Sequence, residues 1–269
     1  MAETYQNILE RMAASSRRRV AAAEARLPFD GLRARVEAVD GGEPFRFERA
    51  LSGEGLSFIC ECKKASPSKG LIEPDYRPVE TACAYEAAEA AAVSVLTEPE
   101  AFLGTLEDLR AVASHVALPV LRKDFVVSPY QIVEAKACGA EAVLLICALL
   151  DEGTLESYLG LCDELGLSAL VEAHDLDETR MACGAGARAI GVNNRDLKDF
   201  TVDFQNSIRL RAAVPDDVVF VAESGVRTAQ DTALLRDAGV DAVLVGETLM
   251  RAEDKGALLA ELREGGDRP

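Results

Sequence analysis

Glu61 and Lys63 stand two residues apart at the end of an apolar run, Ser57–Lys63, and a β-strand would turn both to one face. Ile59 shares that face, while Cys60 and Cys62 fall on the other. Lys123 closes another such run after Pro119-Val120-Leu121, and Glu172 closes a third after Ala169-Leu170-Val171. An ammonium and a carboxylate that meet across a cleft are the parts of general acid–base catalysis. Burial is expected to lower the pKa of Lys123 and to raise that of Glu172, with neighbouring lysines opposing the second effect. A lysine so placed also suits Schiff-base chemistry, and the residues alone leave both roles open. For Glu61 and Lys63 the alternative is a structural ion pair. His174 is read as falling off the inward set that holds Glu172, hence as structural, and His115 has no partner in view.

Lys63, Lys64, Lys69, Arg122, Lys123 and Arg195 all lie near the ends of apolar runs. The chain carries 46 Asp and Glu against 29 Lys and Arg, a net charge of −17, so this local gathering of cations is set to attract an anion. Ser224-Gly225 and Gly246-Glu247 follow two later runs, and backbone N–H groups in such turns cradle phosphate, although ordinary tight turns would look the same. The acidic balance argues against nucleic acid as a partner and against an anionic membrane surface. No apolar run reaches the ~20 residues of a membrane span. The 7 Cys sit mostly in apolar surroundings, as small buried hydrophobes of a reducing compartment would. Cys60-x-Cys62 has no second pair at ligand spacing, so no metal is expected. No export signal is visible, and the cytoplasm is the expected location.

These residues need a scaffold that brings strand ends together. Eight apolar, β-branched-rich runs recur: Ser57–Lys63, Val93–Leu96, Pro119–Lys123, Ala142–Cys147, Ser168–Glu172, Arg188–Asn193, Val218–Glu223 and Asp241–Gly246. Stretches with helical spacing lie between them, such as Val79–Ala91, Leu106–Ser114, Ser128–Cys138, Thr154–Leu165, Asp177–Cys183 and Ala229–Ala238. Gly139, Gly166, Gly186 and Gly239 stand where helix C-caps would fall. Alternating strand and helix implies parallel strands, and eight such units close into a (β/α)8 TIM barrel. The competitor, an open doubly wound sheet, would show a Gly-rich dinucleotide loop, and no G-x-G-x-x-G is present, so no such cofactor is expected. Active sites of these barrels lie at the C-terminal ends of the strands, where the polar residues above gather. Residues 1–50 form an N-terminal helical extension, with a helix over Tyr5–Ala25 and a second helical piece within Leu27–Glu48. No Ser/Gly linker separates it from the barrel, so the 269 residues are expected to form a single domain.

The stretches Glu61-Cys62-Lys63-Lys64-Ala65-Ser66-Pro67-Ser68-Lys69-Gly70 and Leu121-Arg122-Lys123-Asp124-Phe125 resemble the indole-3-glycerol phosphate synthase family of tryptophan biosynthesis. Ser94-Val95-Leu96-Thr97-Glu98, Leu170-Val171-Glu172-Ala173-His174, Ile190–Leu197, Ala222-Glu223-Ser224-Gly225 and Leu244-Val245-Gly246-Glu247 extend the resemblance over nearly the whole chain. It implies a carboxy-lyase that closes the ring of 1-(2-carboxyphenylamino)-1-deoxyribulose 5-phosphate, releasing indole-3-glycerol phosphate, CO2 and water. On that resemblance Lys123 would be the general acid and Glu172 the general base, with Lys63 binding the carboxylate or phosphate and sharing proton transfer. Glu61 and Asn193 would orient the lysines and hydroxyls, and Arg195 and Ser66 would hold the anthranilate carboxylate. Ser224, Gly225, Gly246 and the Glu247 backbone would surround the phosphate, and Glu223 would be a wall carboxylate. The extension would cap the mouth, and the Ser66–Gly70 loop could close over substrate. A monomer without a cofactor is expected, with transient contact to neighbouring pathway enzymes. Ala101–Thr105 departs from the family where many members carry a second aromatic residue, and Cys62 replaces a bulkier aliphatic residue. Phosphoribosylanthranilate isomerase, a Schiff-base aldolase and a non-catalytic phosphate-binding barrel are the alternatives.

Overall fold

The strands that carry the candidate residues are short, apolar and buried on both faces, and they therefore need cover inside and out. Residues 3–38, 42–196 and 200–266 are described in this computed structural model. The barrel strands are β1 (Ser57–Cys62), β2 (Ala92–Leu96), β3 (Val120–Lys123), β4 (Ala142–Ile146), β5 (Ser168–Ala173), β6 (Ala189–Asn193), β7 (Val219–Glu223) and β8 (Ala242–Val245). All neighbours run parallel, and β1 pairs with both β2 and β8, which closes the barrel. The expected eight-stranded (β/α)8 architecture is therefore the observed one. Residues 197–199 are not described, so Leu197 of the Ile190–Leu197 stretch lies outside the described residues, as do residues 1–2 and 39–41 of the extension.

Alternation along each strand sorts the core into two layers. Ile59, Leu121, Leu144, Leu170, Val221 and Leu244 point inward and fill the barrel. Cys60, Cys62, Val93, Val143, Val171 and Val243 point outward, under the helices. All seven cysteines are free, and five of them are buried. Gly139 and Gly239 end their helices at φ 85° and 79°, a left-handed geometry that glycine enters without a Cβ clash. Each following strand starts within a few residues.

The extension divides between the two ends of the barrel. Helix α1 (Glu3–Glu24) reaches the strand C-termini, where the Arg19 guanidinium grips Asp124 through two bonds of 2.8 and 2.9 Å. Helix α2 (Phe29–Glu37) buries Leu32 beside Tyr130 and Val133, on the helix that follows β3. Helix α3 (Arg46–Leu51) goes to the opposite end. It pushes fully buried Phe47 and Leu51 into the inner core, and Arg46 and Glu48 pair with Glu141 and Arg188 ahead of β4 and β6. Residues 1–50 thus do not all cap the mouth: α3 plugs the bottom, because its apolar pair is what fills the N-terminal opening. The loop after β1, expected to be able to close over substrate, has regular structure of its own. It is a small hairpin in which Ala65–Ser66 pairs with Gly70–Leu71.

Candidate active site

Inward-facing charged residues begin one layer above the inner apolar core. Glu61 stands above Ile59, Lys123 above Leu121, Glu172 above Leu170 and Glu223 above Val221. Register sets their heights, with Leu96 opposite Lys123 and Asn193 opposite Glu223. Together they floor a cavity of about 880 Å³ at the strand C-termini, a size suited to a small molecule.

At its centre the Lys123 ammonium lies 3.3 Å from Glu172 Oε2 and 3.2 Å from Glu223 Oε2. Lys63 pairs with Glu61 Oε1 on the adjoining wall. Two glycines make room for this packing. A Cβ on Gly191 would overlap the Glu223 carboxylate, and one on Gly246 would overlap that of Glu61 and come within 2.9 Å of Lys63 Nζ.

Charges, more than burial, set the protonation states. Burial opposes the charge of Lys123, but Glu223, Glu172 and Glu61 outweigh it and hold the ammonium above its ordinary range. The expectation of a lowered lysine pKa is therefore overturned, because it allowed for desolvation and not for three carboxylates. Burial also works against the Glu172 carboxylate, yet Lys123 and His174 bring its pKa below the ordinary value. Burial pushes the Glu223 carboxyl up to about 7; Lys123 opposes that push and the Glu172 charge adds to it.

The remaining residues line the same cavity unequally. Ser66, Asn193, Arg195, Ser224, Gly225, Gly246 and Glu247 all border it. Asn193 Oδ1 accepts from Ser224 Oγ and from the Arg195 amide, both at 3.0 Å, which ties the loops after β6 and β7 together. Ser224 sits at φ 66°, a costly conformation for a residue with a Cβ, and Asn194 Nδ2 holds it there by donating to its carbonyl at 3.0 Å. Glu247 also uses its side chain, meeting Lys69 at 3.8 Å and Arg251 at 3.2 Å.

Two of the six cations expected at the mouth do not border the cavity. Arg122 points outward and is fully buried, bound to Asp124, Glu134 and the Gln131 carbonyl. It sits one residue from Lys123, on the other face of the strand. Lys64 is likewise absent from the lining. Arg227 and Arg251 border the cavity instead, as do Phe102, Phe125 and Leu9 of α1. The two aromatic rings lie 6.2 Å apart and form an apolar side wall. His174 is also misplaced by the sequence reading. It lies two residues beyond Glu172, on the same parity, and its Nε2 is 3.4 Å from Glu172 Oε1. Among the described residues no cluster of three or more His, Cys, Asp and Glu is arranged to hold a metal, and no helix is long and apolar enough to cross a membrane.

Solved structures share the fold. Thiamine phosphate pyrophosphorylase from Pyrococcus furiosus superposes with a TM-score of 0.60 at 17% identity, over 81% of this chain and 96% of that one. 3-Hexulose-6-phosphate synthase from Salmonella typhimurium gives 0.61 at 15% identity, over 78% of this chain and 98% of the other. At such identities the likeness is one of fold alone. Sequence relatives are far closer. The indole-3-glycerol phosphate synthase of Ruminiclostridium cellulolyticum is 54% identical over 95% of this chain and 98% of its own length. That of Lachnoclostridium phytofermentans is 45% identical, also over 95% and 98%. The family model for indole-3-glycerol phosphate synthase matches residues 9–262, from within α1 to the last helix. By the match over that span and the identity to these enzymes, the chain belongs to the indole-3-glycerol phosphate synthase family of carboxy-lyases.

Proposed function

We propose that Lys123 and Glu172 carry the proton transfers of ring closure in 1-(2-carboxyphenylamino)-1-deoxyribulose 5-phosphate. The observation that carries this reading is the Lys123 ammonium, set between Glu172 and Glu223 at the floor of the cavity. The aromatic carbon bearing the carboxylate bonds to the ketone carbon, and negative charge grows on the ketone oxygen. Lys123 donates to that oxygen and completes the proton transfer as the bond forms. Loss of CO2 returns the electron pair to the ring. Lys123, reprotonated from solvent, gives the new hydroxyl a second proton so that it leaves as water, and Glu172 takes the proton from the neighbouring carbon to form the indole double bond. Because its carboxylate neighbours keep Lys123 protonated, it fits an acid that donates late better than a Schiff-base nucleophile, which must be neutral.

Lys63, held by Glu61, is placed to meet an anionic group of the substrate. Asn193 and Ser224 fix the loops that border the phosphate end, with Gly225, Gly246 and the Glu247 backbone beside them. Ser66 and Arg195 border the cavity toward the carboxylate end, where Phe102 and Phe125 offer an apolar wall for the ring. All these groups lie on one chain, so a monomer suffices as the working unit, and a biosynthetic family without a membrane-crossing helix among the described residues suits the cytoplasm. The test is formation of fluorescent indole product from the ribulose phosphate substrate. Lys123→Ala and Glu172→Gln should each lower kcat by ~10²-fold or more. Near-normal turnover by either folded variant would overturn its role.

A further inference from the structure

We propose that His174 is a positioning residue that makes Glu172, rather than Glu223, the ionised carboxylate of the pair flanking Lys123. The inference rests on the reading of Glu172 as the base. Two carboxylates share one ammonium, at 3.3 and 3.2 Å, and by that contact alone they are nearly equivalent. Like charges so close cannot both ionise cheaply, so something must decide which one does.

His174 breaks the symmetry. Its Nδ1 lies 3.0 Å from Glu178 Oε2, a carboxylate oxygen that only accepts, so the ring proton is fixed on Nδ1. The Glu178 carboxylate also accepts the His174 amide at 2.8 Å, and Asn206 Nδ2 donates to the His174 carbonyl at 3.0 Å, which holds the residue in place. Nε2 is buried, without a hydrogen-bond partner, 3.4 Å from Glu172 Oε1. In a neutral ring that nitrogen would aim a lone pair at a carboxylate oxygen. With a proton on Nε2 the same contact becomes attractive. The imidazolium then covers Oε1 of Glu172 while Lys123 covers Oε2, and Glu223 receives no second cation.

The groups around the ring agree on the sign. Glu178 from the following helix, Glu172 from β5 and Glu223 from β7 all favour the imidazolium, against the opposing effect of burial. Lys123 lies beyond Glu172, and Cys147 of the turn after β4, whose Sγ donates to the Glu178 carbonyl, is kept neutral by burial, which pushes its pKa up to about 12. Asp175 is occupied capping the next helix through the Asp177 and Glu178 amides. His174 thus joins Lys123 in holding Glu172 low, and the Glu172 charge so kept adds to the burial that raises Glu223, although His174 does not itself border the substrate cavity.

The test is a carboxyl carbon NMR titration of the full-length protein, with Glu172 and Glu223 assigned from Glu172→Gln and Glu223→Gln. In wild type Glu172 should titrate below Glu223. In His174→Gln the gap should close, with Glu172 moving up by about one pH unit or more. The acid limb of the kcat profile should move up with it. An unmoved Glu172 titration in folded His174→Gln would overturn the inference, whatever the activity. Should that variant fail to fold, Glu178→Gln decides by the same titration: an upward Glu172 shift supports the inference and none overturns it. Full turnover in Glu172→Gln would instead remove Glu172 from the base role, while the titrations still report whether His174 orders the pair.

Discussion

Gly191 lies directly beneath Glu223, so close that a Cβ on the glycine would overlap Oε1 of the carboxylate. Gly191 is a strand residue in β6 without positive φ, so its need is for space and not for an unusual backbone. Gly191→Ala should therefore fold. The Glu223 carboxylate must move aside, and the 3.2 Å contact with Lys123 goes with it. We expect kcat/KM to fall by ~10-fold or more, since displacement of about 1 Å at a reacting centre can cost ~10²-fold. Thermal unfolding and steady-state kinetics on the same sample check this. Unchanged kinetics would show that the Glu223 position is not critical.

Glu223 also gives stability a pH dependence. Its pKa is raised from an ordinary 4.5 to about 7 by burial, so the folded state binds that proton more tightly than the unfolded chain does. The stabilisation from this group is complete below about pH 4.5 and is lost as pH rises through about 7. Glu223→Gln, which keeps the shape and removes the titration, should flatten the fall in unfolding midpoint between pH 5 and 8. A wild-type and variant pair with parallel midpoint curves would contradict it.

Much of this arrangement was readable in the sequence, and the misreadings have physical reasons. Apolar runs ending in charge placed Glu61, Lys63, Lys123 and Glu172 at strand ends, because a parallel barrel strand buried on both faces shows its polarity only where it emerges. Alternation would also have turned Arg122 outward and His174 inward, had it been applied residue by residue. Arg227 and Arg251 gave no such signal: they lie beyond the strands, where parity no longer constrains direction. The state of Lys123 was not readable either. It depends on Glu223 and Glu61, which come from strands far apart in the chain and meet only when the barrel closes.

Arg19 and Asp124 join α1 to the strand that ends in Lys123. Asp124 is buried and also accepts from Thr97 Oγ1 at 2.8 Å and Arg122 Nη2 at 3.0 Å. Burial would raise its pKa, but Arg19 and Arg122 hold it down at about 2. This group thus contributes stability that is present above its ordinary 3.8 and lost as pH falls through about 2. Arg19→Ala removes two charge-assisted bonds while Arg122 keeps the carboxylate partly satisfied. We expect a loss of about 2 kcal/mol in unfolding free energy at pH 7 and an acid transition shifted to higher pH. Urea titrations at several pH values measure both, and an acid transition at the wild-type pH would exclude Arg19 as a main partner.

Gly246 supplies the complementary test on the other wall. Its φ of −117° is not the left-handed geometry that favours glycine, so the space around a new side chain is the first thing a substitution there meets. A Cβ would strike the Glu61 carboxylate and come within 2.9 Å of Lys63 Nζ, in the space those two groups now share. Both atoms are at the tips of side chains, so the barrel can absorb the methyl by pushing the pair toward the cavity. That movement costs little stability but displaces the cation we assign to the substrate's anionic group. Gly246→Ala should leave the unfolding midpoint within a few degrees of wild type and raise KM more than it lowers kcat, because ground-state binding is what the shifted lysine loses. A fall in kcat at constant KM would point instead to Lys63 as a participant in proton transfer.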